Sequence, residues 1–515
     1  MGRVGLVSAD RLGPLETAAR DAADELADRK AVERLWQRDH TLWQDDPTEV
    51  ADRLGWLDSP LEMQARVADL DTFADEVAGD GIRHAVVLGM GGSSLFPEVL
   101  ARTFPTALID LRILDTTDPA AVRRIEDELP LDATLFIASS KSGTTIETVS
   151  ALEHFRHVVD DAGKFIAITD PGTPLAGGAR DAGFRAVFEN RPDIGGRYSA
   201  LSLFGLVPAA LAGIDVPRLL QSAALMLEVS APDSIMPREN PALRLAAALG
   251  AGVRGGRDKA TVLLPPGAAA FGAWLEQLVA ESTGKHGTGI VPVVDEPVGP
   301  PDVYGDDRLF VAYGDHPGVD ALAAAGHPVV TLPFLDAHGL GAEVVRWELA
   351  VALAGVLLGI NPFDQPDVAA AKEATARVLD RGVPDIEPEP LAGLLGKVTP
   401  GDYVAIQAYI DPGSASAAGL AAARVALRDR LRVATTLGLG PRYLHSTGQL
   451  HKGGPPSGVF VQVVSDDPDD VPIPGRPFGF STLKQAQAAG DLDALQGRGL
   501  RAGRVSLGEV LEEAR

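Results

Sequence analysis

Short apolar runs alternate with helix-like segments along most of the chain, and this alternation constrains the fold more than any other feature. The run "HAVVLGM" begins at residue 84, ends in a Gly-rich turn and is followed by an amphipathic segment. Comparable runs are "LRILDTT", "ATLFIASS", "KFIAITDP" and "FRAVFEN" before residue 200, and "ATVLLPP", "RLFVAYGD" and "PVVTLPF" after residue 250. Apolar strands that alternate with helices are typical of parallel sheets covered on both faces. The pattern therefore predicts the α/β class, with two doubly wound parallel sheets between layers of helices.

The chain of 515 residues is too long for one hydrophobic core, so we expect several domains. Residues 1–80 are predicted to form a charged, helical N-terminal segment. The two α/β domains are predicted at 81–240 and 241–400. Residues 401–515 are predicted to be a C-terminal extension with one strand-like run, "GVFVQVVS", and a final helix.

The composition excludes several classes of function. The formal net charge is −25 at pH 7, which argues against nucleic acids and anionic membranes as partners. No apolar run is long enough to cross a bilayer, and the first residues lack the apolar core of a signal peptide. The chain has no cysteine, so disulfides and thiolate chemistry are excluded and a cytoplasmic location is expected. An anionic small molecule is still a possible ligand, because backbone amides and hydroxyls can bind phosphate.

The segment "SSKSGTT", residues 139–145, places many small hydroxyls at the end of a predicted strand, where α/β sheets bind their ligands. Gly143 permits a tight turn, and the helix predicted to follow adds the positive end of its dipole. Four hydroxyls fall within six residues, at Ser140, Ser142, Thr144 and Thr145. The pattern predicts a phosphate site, and the alternative is that these hydroxyls only cap the helix.

A glycine loop, "GMGGSS" at residues 89–94, follows the first strand. It lacks the last glycine of a dinucleotide fingerprint and the Gly-Lys-Ser/Thr ending of a P-loop. Like the hydroxyl loop, it follows a predicted strand, so it is another candidate for the ligand site.

Further motifs, in order, make the chain similar to a known family. After "GMGGSS" and "SKSGTTIET" come "GGRYSALS" (195–202), "EQLVAESTGKHGTGIVP" (276–292) and "NPFDQPDVAAAK" (361–372). In this order they resemble sugar-isomerase-domain proteins and, more narrowly, the glucose-6-phosphate isomerase (phosphoglucose isomerase) family, of the bacterial type related to the isomerase half of transaldolase/isomerase fusions. The resemblance spans about residues 80–375. A transaldolase barrel needs about 250 residues, so that activity is not expected from the short N-terminal segment.

The resemblance implies two sugar-isomerase domains and an enzyme that interconverts glucose 6-phosphate and fructose 6-phosphate in glycolysis and gluconeogenesis. Such a reaction opens the sugar ring and moves a proton between C1 and C2 through a cis-enediol(ate). It needs a base, a positive charge near the enediolate oxygens, and an acid–base pair for the ring. The alternatives are a phosphosugar-binding module without catalysis and an isomerase of another sugar phosphate, such as mannose 6-phosphate.

Glu281 matches the base of the family's E-S-x-G-K motif. Gln277 lies four residues earlier, on the same face of a predicted helix, and matches a substrate-contact position of the family. The alternative for Glu281 is a surface ion pair with Lys285, which lies four residues later.

Arg197 matches the family residue that stabilises the enediolate, and the alternative is a structural pair with Asp193. Lys372 matches a ring-opening residue, and the alternative is an exposed helix lysine. Gln365 resembles a contact on the phosphate side. The implied phosphate-binding residues are Gly92, Ser93, Ser140, Lys141, Ser142 and Thr145.

The ring-opening histidine of the family usually lies in an H-x-x-G-Q context between the Glu and Lys motifs. Here that context occurs after Lys372, in "YLHSTGQLHKGG", so His445 is the predicted counterpart. His451 in the same stretch and His286 near Glu281 are the other candidates.

We expect no metal site, because the histidines are scattered, and no cofactor, because the isomerisation needs none. The expected partner is a small-molecule sugar phosphate. The family resemblance also implies a homodimer.

Overall fold

Three parallel β-sheets form the framework of the structure, a computed structural model that describes residues 10–334 and 336–514, with side chains at all of these except 368–371. Every paired strand within these sheets runs parallel to its neighbour. Because parallel strands need long crossover connections, helices lie between them. The predicted α/β class is confirmed. Among the described residues, no helix combines the length and the apolar character that a bilayer crossing requires.

The chain begins with helices that precede the first sheet. They are α1 (Glu16–Asp28), α2 (Ala31–Trp36), α3 (Ser59–Glu62) and α4 (Val67–Gly79). The alanines and leucines on one face of α1 are buried, as its helical periodicity predicts.

The first sheet has the strand order β2-β1-β3-β4-β5. Its strands are β1 (His84–Gly89), β2 (Asp110–Leu114), β3 (Thr134–Ser139), β4 (Phe165–Thr169) and β5 (Ala186–Glu189). The helices between them are α5 (Leu95–Thr103), α6 (Pro119–Glu128), α7 (Ile146–Val158) and α8 (Pro174–Asp181). All five strands coincide with predicted apolar runs. The central strands β3 and β4 are buried along their whole length, which explains their near-continuous apolar sequence.

The second sheet has the strand order β7-β6-β8-β9. It is preceded by α9 (Leu203–Leu211), α10 (Val216–Ser230) and α11 (Pro241–Arg254). Its strands are β6 (Lys259–Leu263), β7 (Val291–Val293), β8 (Arg308–Tyr313) and β9 (Val329–Leu332). The helices α12 (Phe271–Thr283) and α13 (Val319–Ala324) lie between strands, and α14 (Leu340–Leu358) follows them. The three predicted strands are β6, β8 and β9, and the short β7 was not predicted.

The C-terminal segment is more than the extension that the sequence predicts, because it contains a third sheet with the order β11-β10-β12-β13. Its strands are β10 (Tyr403–Tyr409), β11 (Ala434–Leu439), β12 (Gly458–Val464) and β13 (Arg501–Arg504). Its helices are α15 (Val368–Arg381), α16 (Leu391–Leu395), α17 (Ala415–Leu431), α18 (Gly448–Gly453), α19 (Phe480–Gln496) and α20 (Leu507–Glu512). Only β12 was predicted, because buried polar residues such as Gln407 and Thr435 interrupt the apolar pattern of β10 and β11. How the chain divides into domains stays a prediction.

The third sheet and its helices pack directly against the other two. Val471 and Phe480 share one apolar cluster with Val86 and Phe136 of the first sheet. A second cluster joins Tyr403, Phe460 and Leu450 to Val291 and Val293 of the second sheet. The segment between β11 and β12 therefore lies where the three sheets meet.

A buried ion cluster links the first and third sheets. The Nζ atom of Lys484, on α19, lies 2.9 Å from Oδ2 of Asp118, at the start of α6, and also pairs with Asp467. It further donates to the hydroxyl of Ser465 at 3.2 Å. The Lys484 side chain is inaccessible to solvent. Two carboxylates therefore depend on one ammonium group for compensation of their charge.

We expect Lys484→Met to lower the free energy of unfolding by about 3–5 kcal/mol, because it leaves buried carboxylates without a counter-charge. Urea unfolding followed by circular dichroism measures the change, with Lys397→Met at an exposed lysine as the matched control. Equal stability of the two variants would contradict this role.

Candidate active site

The hydroxyl loop connects β3 to α7 and is organised by its own side chains. The hydroxyls of Ser140 and Thr145 lie 2.9 Å apart, and those of Ser142 and Thr144 lie 3.0 Å apart. Gly143 has a φ of +67°, which allows the tight turn. Among the described side chains, none caps the N-terminus of α7. The alternative that these hydroxyls only cap the helix is therefore wrong, and the first amides of α7 lack the acceptors that a helix interior would provide.

Lys141 lies in the same loop but its ammonium group is engaged elsewhere. It forms an ion pair with Asp170 and donates to the carbonyl of Pro192 at 2.9 Å. A contact between Lys141 and phosphate stays a prediction, and the backbone amide is the group of this residue that belongs to the loop.

The glycine loop makes a close backbone approach to three other segments. A Cβ atom on Gly91 would lie 2.8 Å from Nε2 of Gln277 and 2.9 Å from the carbonyl oxygen of His445. A Cβ atom on Gly92 would lie only 1.9 Å from the carbonyl oxygen of Gly196. The absence of side chains at these two glycines therefore allows the motifs to converge.

Glu281 and Arg197 form a buried pair at this convergence. One oxygen of Glu281 lies 3.3 Å from Nη1 of Arg197, and both side chains are largely inaccessible. Gln277 donates from Nε2 to the other oxygen of Glu281 at 3.1 Å and to the carbonyl of His445 at 2.8 Å. The alternative pairing of Arg197 with Asp193 is wrong, because Asp193 pairs with Arg191.

Lys285 does not form the surface ion pair with Glu281 that was the alternative for Glu281. Its side chain is fully buried, and its Nζ lies 2.7 Å from Oδ1 of Asp364 instead of pairing with Glu281 on the surface. It also donates to the carbonyl of Asn361. Burial and the nearby charge of Arg197 lower the pKa of Lys285 to about 7, although Asp364 opposes this shift. Lys285 thus holds the turn that leads to α15.

Arg197 holds the same turn from a second direction. Its Nη2 donates to the carbonyls of Pro362 at 2.7 Å and Asp364 at 2.9 Å, and its Nε donates to the hydroxyl of Ser282 at 2.8 Å. Gln365 follows at this turn and is exposed.

Of the three candidate histidines, only His445 faces the hydroxyl loop. Its Nε2 lies 2.9 Å from Oε1 of Glu147, in the first turn of α7. His286 is exposed in the loop after α12. His451 is buried against Tyr443 and Phe460, and burial together with the charge of Lys452 lowers its pKa to about 3. An imidazole that stays neutral in a core is unsuited to proton exchange with a ligand.

Glu147 belongs to the quoted motif "SKSGTTIET", but the sequence analysis did not single it out. Burial raises the pKa of its carboxyl, yet the charge and hydrogen bond of His445 and the charge of Lys372 outweigh this and leave the pKa below its usual value. Only the contact with His445, almost 300 residues later in the chain, identifies its part in the site.

A cleft of about 250 Å³ opens beside His445. Its walls come from the N-terminus of α7, from α15, from the His445 segment and from α19, and they include Thr144, Thr145, Glu147, Lys372, His445, Lys452 and Gln487. Lys372 is exposed, as the helix alternative predicts, and it also lines this cleft. The arrangement combines an anion-binding loop, a histidine–carboxylate pair, a lysine and a nearby carboxylate–guanidinium pair.

Comparisons with known proteins identify the family of the chain. The model of the phosphoglucose isomerase family matches residues 47–306, which include Arg197 and Glu281 and end before Lys372 and His445. A glucose-6-phosphate isomerase of Thermosynechococcus vestitus is 32% identical over 345 residues, which cover 56% of this chain and 64% of the relative, so the chain spans less than two thirds of that relative.

Two further proteins extend the comparison. A probable glucose-6-phosphate isomerase of Natronomonas pharaonis is 32% identical over 365 residues, which cover 61% of this chain and 83% of the relative. The crystal structure of a hypothetical protein from Thermus thermophilus is 25% identical, with a TM-score of 0.61, and the match covers 72% of this chain and 99% of that chain. Because the family model matches about half of the chain and these relatives extend the match, the chain belongs to the phosphoglucose isomerase family.

Proposed function

We propose that the chain interconverts glucose 6-phosphate and fructose 6-phosphate, and that it serves glycolysis and gluconeogenesis. The observation that carries the proposal is the buried pair of Glu281 and Arg197, 3.3 Å apart, which Gln277 connects by hydrogen bonds to the His445 segment. Membership of the phosphoglucose isomerase family supports a sugar phosphate as the substrate.

Proton transfer is the task of Glu281. Its carboxylate takes the proton from C2 of open-chain glucose 6-phosphate and returns it to C1, which gives fructose 6-phosphate through a cis-enediol(ate). Arg197 stabilises the negative charge that develops on the C1 and C2 oxygens, and its burial strengthens that attraction. The hydrogen bond from Gln277, 3.1 Å long, keeps the carboxylate oriented.

The phosphate group binds at the hydroxyl loop. Ser140, Ser142 and Thr145 have hydroxyls that pair with neighbouring hydroxyls and can turn toward an anion, and the amides of α7 add the positive end of the helix dipole. Lys141 contributes its backbone amide. The glycine loop follows β1, whose Gly89 pairs with Ser139 of β3, so Gly92 and Ser93 are proposed as further phosphate contacts. Gln365, which is exposed in the turn before α15, is proposed as a contact on the phosphate side.

Ring opening is the task of His445 and Lys372. Glu147 holds Nε2 of His445 as a hydrogen-bond donor, and Nδ1 has no partner among the described residues. Nδ1 is then the atom that exchanges a proton with the sugar ring, while Lys372 acts from α15 across the cleft.

We further propose that the chain works as a homodimer in the cytoplasm. The dimer rests on resemblance to the family. The cytoplasmic location rests on the absence of cysteine and on the substrate, which belongs to central metabolism.

Replacing Glu281 by Gln removes the base while keeping the shape of the side chain, so we expect isomerisation to fall by about 10²–10⁴-fold. The assay incubates fructose 6-phosphate in deuterated water and follows glucose 6-phosphate and deuterium at C2. Glu373→Gln, at an exposed carboxylate of α15, is the matched control.

Each outcome of this assay has a distinct meaning. Wild-type protein that binds fructose 6-phosphate but forms no product would favour a non-catalytic phosphosugar module. A Glu281→Gln variant as fast as wild type would refute the assignment of the base. Mannose 6-phosphate in a parallel incubation tests the wider substrate range.

Loss of a hydroxyl from the phosphate loop should weaken substrate binding. We expect Ser142→Ala and Thr145→Ala each to lower kcat/KM for fructose 6-phosphate by about 10–100-fold, because each removes a hydrogen bond to a charged group. Calorimetric titration with fructose 6-phosphate measures the affinity, and Thr72→Ala on the exposed face of α4 is the control. Unchanged affinity in both loop variants would show that the phosphate group does not bind at the hydroxyl loop.

His445→Gln should lower turnover of glucose 6-phosphate by about 10²–10⁴-fold, because the ring then opens without its acid–base group. His286→Gln should leave turnover unchanged, since that side chain is exposed. The reverse ranking of the two variants in a coupled assay would disprove the choice of His445.

A further inference from the structure

The carboxylate of Glu147 has a second buried partner besides His445. Gln487, on α19, donates from Nε2 to the same oxygen, Oε1, at 2.7 Å. The hydroxyl of Thr117, at the end of the first sheet, donates to Oε1 of Gln487 at 2.8 Å. Gln487 and Thr117 are almost completely buried. A continuous chain of hydrogen bonds therefore runs from Thr117 through Gln487 and Glu147 to His445.

The direction of the Gln487 amide is fixed by this chain. A glutamine amide has one acceptor end and one donor end. Because an ionised carboxylate only accepts hydrogen bonds, the NH₂ group faces Glu147, and the Thr117 hydroxyl donates to the oxygen end of the amide. The backbone of Gln487 is itself held in α19, where its carbonyl accepts a hydrogen bond from Tyr409 at 3.4 Å.

We propose that Gln487 is a positioning residue that holds the Glu147 carboxylate against the ring of His445 and disperses part of its negative charge. The inference rests on the proposed function in one respect, that His445 opens the sugar ring. A hydrogen bond donated to a carboxylate spreads its charge and weakens its attraction for a neighbouring imidazolium. Gln487 thereby keeps His445 able to release its proton as well as to take one up.

Other charged and titratable groups face the Glu147–His445 pair and must stay constant in a test. They are Lys372 on α15, Lys452 on α18 with its partner Asp491 on α19, and Tyr409 on β10. Within the part of the chain that the structure describes, none of them is hydrogen-bonded to the side chain of Gln487, so replacing that side chain removes one hydrogen bond of Glu147.

The decisive experiment replaces Gln487 by Met in the full chain and follows the histidine rings by NMR during a pH titration. The His445 signal is identified by its loss in His445→Gln. Without the donor, Glu147 attracts the imidazolium more strongly, so the pH at which His445 titrates should rise by about one unit. In a plot of kcat/KM against pH, the part of the curve that depends on His445 should also move to higher pH.

Two further variants make the result specific. Gln496→Met, on the same helix, loses a hydrogen bond to the carbonyl of Ala502 and should leave the His445 titration unchanged. Thr117→Val keeps the shape of the side chain but removes the hydrogen bond that holds the Gln487 amide. It should also raise the pH at which His445 titrates. This variant provides the test if Gln487→Met does not fold.

The outcomes separate this inference from the proposed function. The positioning role would be overturned if the pH at which His445 titrates were unchanged or lower in folded Gln487→Met. If Gln487→Met does not fold, the same result in Thr117→Val would overturn it. A raised His445 titration in Gln487→Met, together with a wild-type chain that does not isomerise fructose 6-phosphate, would uphold the positioning role and refute the isomerase.

Discussion

A buried guanidinium has to be surrounded by acceptors, and the convergence of the site segments depends on how the chain meets this requirement at Arg197. Each of its guanidinium nitrogens has an acceptor: the carboxylate of Glu281, the hydroxyl of Ser282, and two carbonyls of the turn at 362–364. These acceptors come from α12 and from the turn before α15. Because an unpaired buried charge is strongly unfavourable, the cation fixes the distance between the Glu281 carboxylate and the turn that leads to Lys372.

The same requirement is repeated around this centre. Lys285 compensates Asp364, Lys484 compensates Asp118 and Asp467, and Arg442 lies against Glu98 and Asp115 of the first sheet. Arg442 precedes His445 by three residues, so its ion pairs hold the segment that delivers the histidine. The Lys484–Asp118 pair and both pairs of Arg442 link the first sheet to the third, whereas Lys285–Asp364 links the loop after α12 to the turn before α15. Such pairs add little net stability compared with apolar packing, but breaking one is costly, and they therefore select one arrangement of the three sheets.

The fold was predictable where the signal is local, and less so where it is not. Apolar runs identified the first sheet and most of the second, since strands buried on both faces read as continuous runs. The third sheet was missed because β10 and β11 include polar residues, Gln407 and Thr435, that are buried only when the tertiary structure supplies their partners. The hydroxyl loop and the pair of Glu281 with Gln277 were also predictable, because their spacing places the groups on one turn or one helix face.

What the sequence could not supply is the partnership between distant segments. The i,i+4 spacing of Glu281 and Lys285 allowed a surface pair as the alternative, and it gave no indication that the buried Lys285 pairs with Asp364. No spacing rule relates Glu147 to His445 or to Gln487. Glu147 lies on α7, next to the first sheet, whereas the other two residues belong to the segment that forms the third sheet. These contacts arise because the third sheet and its helices pack against the first two sheets and bring His445 and Gln487 to the N-terminus of α7. A segment that read as an appendage to the fold thus provides the imidazole, and the amide that restrains its carboxylate partner.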